Sequence, residues 1–304
     1  MTKFNYVRLF LLLWLFHPQT LNAALELSTK PLVVTSWNLQ WLTTDKNTVA
    51  PLTNRNSRDT QVLAQYFNKV SPDVLAFQEV DSIQAIKNIV GNRYVIYLSD
   101  RTSPTFKSRQ FDDINQYTGF AIKQTINVID PADLVMTQNT SKLRFASYVI
   151  VQGSNEASDI HLLSVHLKAG CPAQYKRTRD CNLLKQQALL VNKWLKQRVE
   201  AKQRFVVAGD FNHNLAYPND WLYVDISTDI KQHVNLASKT SQPNCIVRSN
   251  RNNKATYQFR SLIDHILLSK HLTHGAVKQQ IFSPDDVLTY RLSDHCPLST
   301  IIFP

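Results

Sequence analysis

The amino-acid sequence predicts an α/β domain built on a large, mixed sheet system, and three observations carry that prediction. Apolar runs of strand length recur along the chain. Amphipathic stretches at helical spacing fall between some of them. No internal repeat, low-complexity tract or Pro/Ser-rich linker divides residues 24–304, so a single domain is expected. In order, the apolar runs lie at 32–37, 74–77, 94–98, 119–122, 145–151, 160–166, 205–208, 262–268 and 298–303. The helical patterns lie at 59–69, 83–90 and 181–201. In the last, Leu184, Ala188, Val191 and Leu195 share one face with Lys, Gln and Arg between them.

Composition removes several classes of function. Charged residues are 19% and hydrophobic residues 43% of the 304, which suits a packed core rather than disorder. There are only six glycines, and none are spaced as G-x-G-x-x-G or as a P-loop, so both nucleotide-binding devices are excluded. G-x-S-x-G, H-E-x-x-H and C-x-x-C are also absent.

Residues 1–23 have the layout of an export signal. Lys3 and Arg8 precede an unbroken apolar run at 9–16, and small residues follow at Ala23 and Ala24. The run is too short to span a bilayer, which takes about 20 apolar residues. The mature chain is therefore expected to be secreted or periplasmic, without stable membrane insertion, and monomeric. Its four cysteines, Cys171, Cys181, Cys245 and Cys296, are an even number, as disulfides in an oxidising compartment require. Three pairings are open. Cys171 and Cys181 flank a short polar loop and make the first choice, which leaves Cys245 with Cys296. The net charge of +11 loses only Lys3 and Arg8 with the signal, and the remaining excess suits an anionic partner such as nucleic acid or acidic lipid.

The most informative pattern is at the ends of the apolar runs. L-V-V-T-S-W runs into Asn38, V-L-A-F-Q into Glu79, I-H-L-L-S-V into His166, and F-V-V-A-G into Asp210 and then Asn212. If these strands share one sheet and one direction, their ends converge on one edge, the usual place for chemistry in α/β proteins. Asp264 and His265 begin a later run, and Asp294 and His295 precede the last. Carboxylates and amides without thiolates suit a hard cation such as Mg²⁺. Histidines beside them can move protons near neutral pH. Together they point to metal-assisted hydrolysis of a phosphate ester.

S-W-N-L-Q at 36–40, A-F-Q-E-V at 76–80, S-V-H-L-K at 164–168, G-D-F-N at 209–212, I-D-H-I at 263–266 and S-D-H-C-P at 293–297 occur in this order. Together they resemble the endonuclease/exonuclease/phosphatase superfamily, which includes the DNase I-like nucleases. The resemblance spans residues 33–303 and implies a four-layer α/β/β/α sandwich. It implies metal binding at Asn38, Glu79 and Asp294. It implies that Asp210 and Asn212 contact the scissile phosphate and position the attacking water. His295 then acts on that water or on the phosphorane charge, oriented by Asp264, and His166 is a general acid at the leaving oxygen. His166 also tilts the resemblance toward members that cut intact backbones. His265 and His161 alternate to the opposite strand faces and are expected to be structural. Cys296 is expected in packing or a disulfide, not as a nucleophile.

Basic residues cluster at 101–109, 168–185 and 248–260, segments expected to be loops. Lys168, Arg248, Arg251, Lys254 and Arg260 are expected to meet backbone phosphates, with Tyr257 and Phe259 stacking on a base or sugar. Tyr117 is a further expected substrate contact. The resulting expectation is an exported nuclease, DNA before RNA, with Mg²⁺ as cofactor and Mn²⁺ or Ca²⁺ as alternatives. A lipid phosphodiesterase or phosphatase, sphingomyelinase-like, is the alternative on the same fold.

Overall fold

The computed structural model describes residues 30–45, 54–137 and 141–304; the expected export segment at 1–23 lies outside them. Its strands are, in chain order, β1 (Leu32–Leu42), β2 (Val74–Val80), β3 (Tyr94–Leu98), β4 (Tyr117–Lys123), β5 (Val128–Ile129), β6 (Ser147–Val151), β7 (Ile160–His166), β8 (Arg204–Asp210), β9 (Val234–Leu236), β10 (Ile246–Arg248), β11 (Thr256–Gln258), β12 (Asp264–Ser269), β13 (Thr273–His274), β14 (Lys278–Gln279) and β15 (Leu298–Phe303). One sheet has the order β13-β15-β1-β2-β4-β3, with β14 also paired to β15. The other has the order β5-β6-β7-β8-β12-β9. The strands β10 and β11 form a separate hairpin.

Alternation along the strands explains why two sheets stack. Val34, Val74, Ala76 and Phe120 of the first sheet meet Val149, Leu162, Val206 and Ile266 of the second in one buried cluster. The residues between them face outward and need covers. Leu75 and Phe77 pack under helices α1 (Ser57–Val70) and α2 (Ile83–Val90). Leu163, Val165, Phe205 and Val207 pack under α3 (Arg179–Glu200) and α4 (Trp221–Ser227). The result is helix, sheet, sheet, helix, the four-layer sandwich expected. A short α5 (Pro284–Thr289) follows β14.

Local chemistry sets the boundaries. Asn56 caps α1 by accepting from the Arg58 and Asp59 amides, and Asp59 bonds back to the Asn56 amide. Ser71 ends that helix in the left-handed region, φ 47°, ahead of Pro72. The disulfides are Cys171–Cys181 and Cys245–Cys296. Two disulfides fit an oxidising, exported compartment. No helix among the described residues is long and apolar enough to cross a membrane.

The basic segments are more ordered than loops. Residues 101–109 fall in two 3-10 turns, Asp100–Thr102 and Pro104–Arg109. The second segment runs into α3, and the third folds as the β10–β11 hairpin. The short strands and α4 and α5 escape a periodicity reading because each is too brief to complete a pattern.

Candidate active site

Convergence of the strand ends happens across both sheets rather than on one. β1 and β2 run parallel in the first sheet, and β7 and β8 run parallel in the second. His166 pairs with Asp210, and Asp210 with Asp264, in one row across the second sheet. Gly209 permits this row. A Cβ there would collide with the Val165 carbonyl oxygen, so the close approach of β7 and β8 requires glycine just before Asp210. Glu79 lies at a bulged strand end with φ 59°, a conformation rare for a non-glycine residue and often found at functional sites.

Asn38 bridges the sheets. Its Nδ2 donates to Glu79 Oε1 at 3.2 Å and to Asp210 Oδ2 at 3.0 Å, while its Oδ1 accepts from the Gln40 amide. Glu79 Oε2 accepts from the Trp41 amide at 3.1 Å. His166, buried, has Nε2 at 3.5 Å from Asp210 and 3.6 Å from Glu79. Asn212 fixes Asp210 through its amide, 2.7 Å from Oδ1, and is itself tied by Nδ2 to the Leu167 carbonyl. On the opposite side, His295 Nδ1 donates to Asp264 Oδ2 at 2.7 Å. Its Nε2 lies 3.8 Å from Asp210 and 3.9 Å from Asp294. The Asp294 amide donates to Gln40 Oε1 and the Trp37 indole to the His295 carbonyl, which pins this turn against β1.

The two histidines differ electrostatically. Burial pulls the His295 pKa down, but Asp264 and Asp210 outweigh it and hold the imidazole well above its ordinary value. For His166, burial, Arg144 and the nearby His295 all act together and push it well below. Burial, reinforced by Asp264, pushes Asp210 up to about 7 against the pull of His295, the Asn212 amide and Asn38.

Arg144 is the member that the sequence did not disclose. Its Nη2 donates to the Leu167 carbonyl at 3.1 Å, and it adds positive charge toward Glu79 and Asp210. The signal lies in strand pairing, since Ser147 pairs with Ser164 and the register carries Arg144 to the residue after His166. Arg55 is a second such member. It donates to the carbonyls of Gln40, Arg291 and Leu292 behind Asp294, and burial lowers its pKa to about 10.

The remaining expected substrate contacts are spread out. Tyr117 is buried, with the Arg101 guanidinium 4.6 Å from its ring, and stands outside the hydrogen-bonded group around Asp210. Arg101 itself is buried and donates to the carbonyls of Arg109, Gln116 and Lys142. Lys168 is ion-paired to Asp180 at 3.0 Å. Arg248 donates to the carbonyls of Asn253 and Tyr290, while Arg251 and Lys254 are exposed at the hairpin turn. Arg260 lines a pocket of about 300 Å³ that reaches Asp264, His295 and Asp294. His265 points to the other face, as the two-residue period requires, bonded to Ser238 and to the Leu215 amide. His161 is likewise turned away, against Tyr148.

The donor set fits a hard divalent cation. The Asn38 amide joins the Glu79 and Asp210 carboxylates, Asp294 lies 3.9 Å from His295 Nε2, and every cysteine is in a disulfide. Among the described residues, the carboxylate and imidazole atoms of Asp210, Asp264 and His295 converge within 4.8 Å of one another. We read that trio as a hydrogen-bonded pair facing Asp210, because Asp264 Oδ2 and His295 Nδ1 are already bonded to each other.

The family model of the endonuclease/exonuclease/phosphatase family matches residues 35–295. The chain belongs to this family of phosphoester hydrolases. Among solved structures, an endonuclease/exonuclease/phosphatase protein from Bacteroides vulgatus is similar, with TM-score 0.64 and 16% identity over 90% of this chain and 98% of that one. A mannosyl-6-phosphatase from Bacteroides thetaiotaomicron gives TM-score 0.60 and 13% identity over 90% and 100%. TDP2 from Caenorhabditis elegans gives 0.59 and 16% over 92% and 76%. At these identities the likeness is one of fold. No curated protein matches the chain.

Proposed function

We propose that the protein is an exported, metal-dependent phosphodiesterase that hydrolyses nucleic-acid backbones with little sequence preference, DNA before RNA. The observation that carries this reading is the carboxylate-backed imidazole of His295, aimed at the same Asp210 carboxylate that His166 and Asn38 approach from the Glu79 side. A divalent cation held by Glu79, Asn38 and Asp294 supplies Lewis-acid stabilisation of the phosphoryl oxygens when bound.

The chain's own groups divide the remaining work. Asp210, anchored by Asn212 and Asn38, orients the attacking water and accepts its proton as the new O–P bond forms. His295 is stable as an imidazolium because Asp264 backs Nδ1, so its Nε2–H meets the negative charge of the pentacoordinate phosphorus. The P–O bond on the far side breaks, and the departing oxygen takes a proton. The resemblance assigns that donation to His166. Its Nδ1 is buried without a hydrogen-bond partner among the described residues, and no carboxylate backs it as Asp264 backs His295. In our reading His166 works in its neutral form, with Nε2–H bridging Asp210 and Glu79, and the proton for the leaving oxygen comes from solvent.

One assay panel tests this function. The purified chain is given supercoiled plasmid, linear DNA, RNA, a sugar phosphate and sphingomyelin vesicles, with Mg²⁺ or with EDTA. We expect nicking of plasmid that EDTA abolishes. Turnover of sphingomyelin alone would replace this reading with the lipid alternative.

A further inference from the structure

The β10–β11 hairpin has two chemically different faces, and a cleft lies against each. Val247 pairs with Tyr257 and Arg248 with Thr256. Side chains alternate across a strand, so Tyr257 and Phe259 share one face and Arg248 takes the other. The Tyr257 and Phe259 rings meet edge to face at 5.1 Å. They are 48% and 42% exposed, an unusual placement for a packed aromatic pair. They line the pocket of about 300 Å³ that also holds Arg260, the Cys245–Cys296 disulfide and the pair Asp264–His295. On the other face, Arg248, Asn250 and Asn253 line a second cleft of about 440 Å³ with Gln40. Asp294 lines both clefts.

We propose that the aromatic pocket seats one unpaired nucleobase next to the scissile phosphate, and that single strands or frayed ends are therefore preferred over intact duplex. The proposal rests on the phosphodiesterase reading and names its substrate. The pocket is at the small end of ligand sites, room for one ring system with its sugar. It opens beside His295, within one nucleotide of the reacting phosphorus. The Cys245–Cys296 disulfide forms part of its wall, and a pocket of this size takes a base only once that base has left the duplex stack. Arg260 at the pocket, with Arg248, Arg251 and Lys254 on the hairpin, gives the positive charge that a polyanionic strand needs. Aromatic rings with interspersed cations form the usual platform for single strands.

The test compares a single-stranded oligonucleotide, its duplex, and a series of single strands each lacking one base at a successive position. All are cut by the full, disulfide-bonded chain at fixed Mg²⁺. Base–aromatic stacking is worth about ten-fold per base. We expect at least a ten-fold higher kcat/KM for single strand than for duplex. Base removal at one register should cost about ten-fold. The Tyr257→Ala/Phe259→Ala variant, altered only at exposed positions, should lose both effects through KM. Equal cutting of duplex and single strand, with no sensitive register, overturns this inference and leaves the phosphodiesterase reading standing. Cutting of neither nucleic acid, with turnover of sphingomyelin or a phosphomonoester, overturns both.

Discussion

His295 and His213 each hold an aspartate at close range, 2.7 Å to Asp264 and 2.6 Å to Asp220, yet their second nitrogens meet opposite surroundings. His213 is fully buried, and its Nδ1 is 2.8 Å from the Cys171 carbonyl. Both of its nitrogens face acceptors, so the ring is committed to tying the Cys171–Cys181 loop to the Asp220 cap of α4. His295 keeps Nε2 directed at Asp210 and Asp294 with no bond that saturates it. In the proposed function the His295–Asp264 pair acts chemically because its far nitrogen opens onto a cleft with acidic neighbours. The His213–Asp220 pair is a strut.

The comparison can be broken in order of expected effect. Glu79→Gln removes charge from the Asn38–His166 side of the candidate site while keeping shape. Activity should fall by about two to four orders of magnitude, with partial recovery at raised Mg²⁺. Full activity of this variant in EDTA would remove the metal from the account.

His213→Ala should act on stability instead. It leaves the Asp220 carboxylate and the Cys171 carbonyl buried without their partner, at a cost of about 3 kcal/mol. Urea unfolding measures it. A variant as stable as the parent would mean that the pair is not a strut.

His161 gives a third kind of histidine and a pH test. Burial, helped by Arg198, lowers its pKa from 6.5 to about 4. Folding therefore favours the neutral ring. The stability it contributes is complete above about pH 6.5 and is lost as pH falls toward 4, at most about 3 kcal/mol in all. His161→Gln keeps a partner for Tyr148 and should flatten this stretch of the stability profile. An unchanged slope would place the acid sensitivity elsewhere.

The smallest effect concerns the exposed turn. Arg251→Gln/Lys254→Gln should reduce the salt slope of nucleic-acid binding by one to two units on a log–log plot, roughly 0.7–0.9 for each phosphate no longer neutralised. An unaltered slope would show that the turn does not touch the strand.

Much of this was legible in the residues, and the remainder was not for identifiable reasons. Asn38, Glu79, His166 and Asp210 stand out because each ends an apolar run; any one alone could be a turn former or a solvated group, and it is the repetition that is informative. Asp264 and His295 stand out only as parts of ordered motifs. Arg144 was hidden because its nearness to the carboxylates depends on the β6–β7 register. Arg55 was hidden because three backbone carbonyls, not side chains, hold it. Tyr117 is expected as a substrate contact from the resemblance, but its ring is buried with the Arg101 guanidinium 4.6 Å away. The strut of His213 left no trace, since His213 and the residues up to Asp220 lie in an irregular segment where no periodicity applies. The hairpin escaped because its strands are three residues long and exposed on one face.

The most direct test is kcat/KM on plasmid DNA at fixed Mg²⁺ for His295→Ala, Asp264→Asn and His213→Ala, each normalised to its folded fraction. The account predicts a loss of about 10²–10⁴-fold for His295→Ala, a smaller loss for Asp264→Asn, and near-parental activity for folded His213→Ala. Folded His295→Ala protein that cuts at the parental rate, or folded His213→Ala that loses as much as His295→Ala, would contradict it.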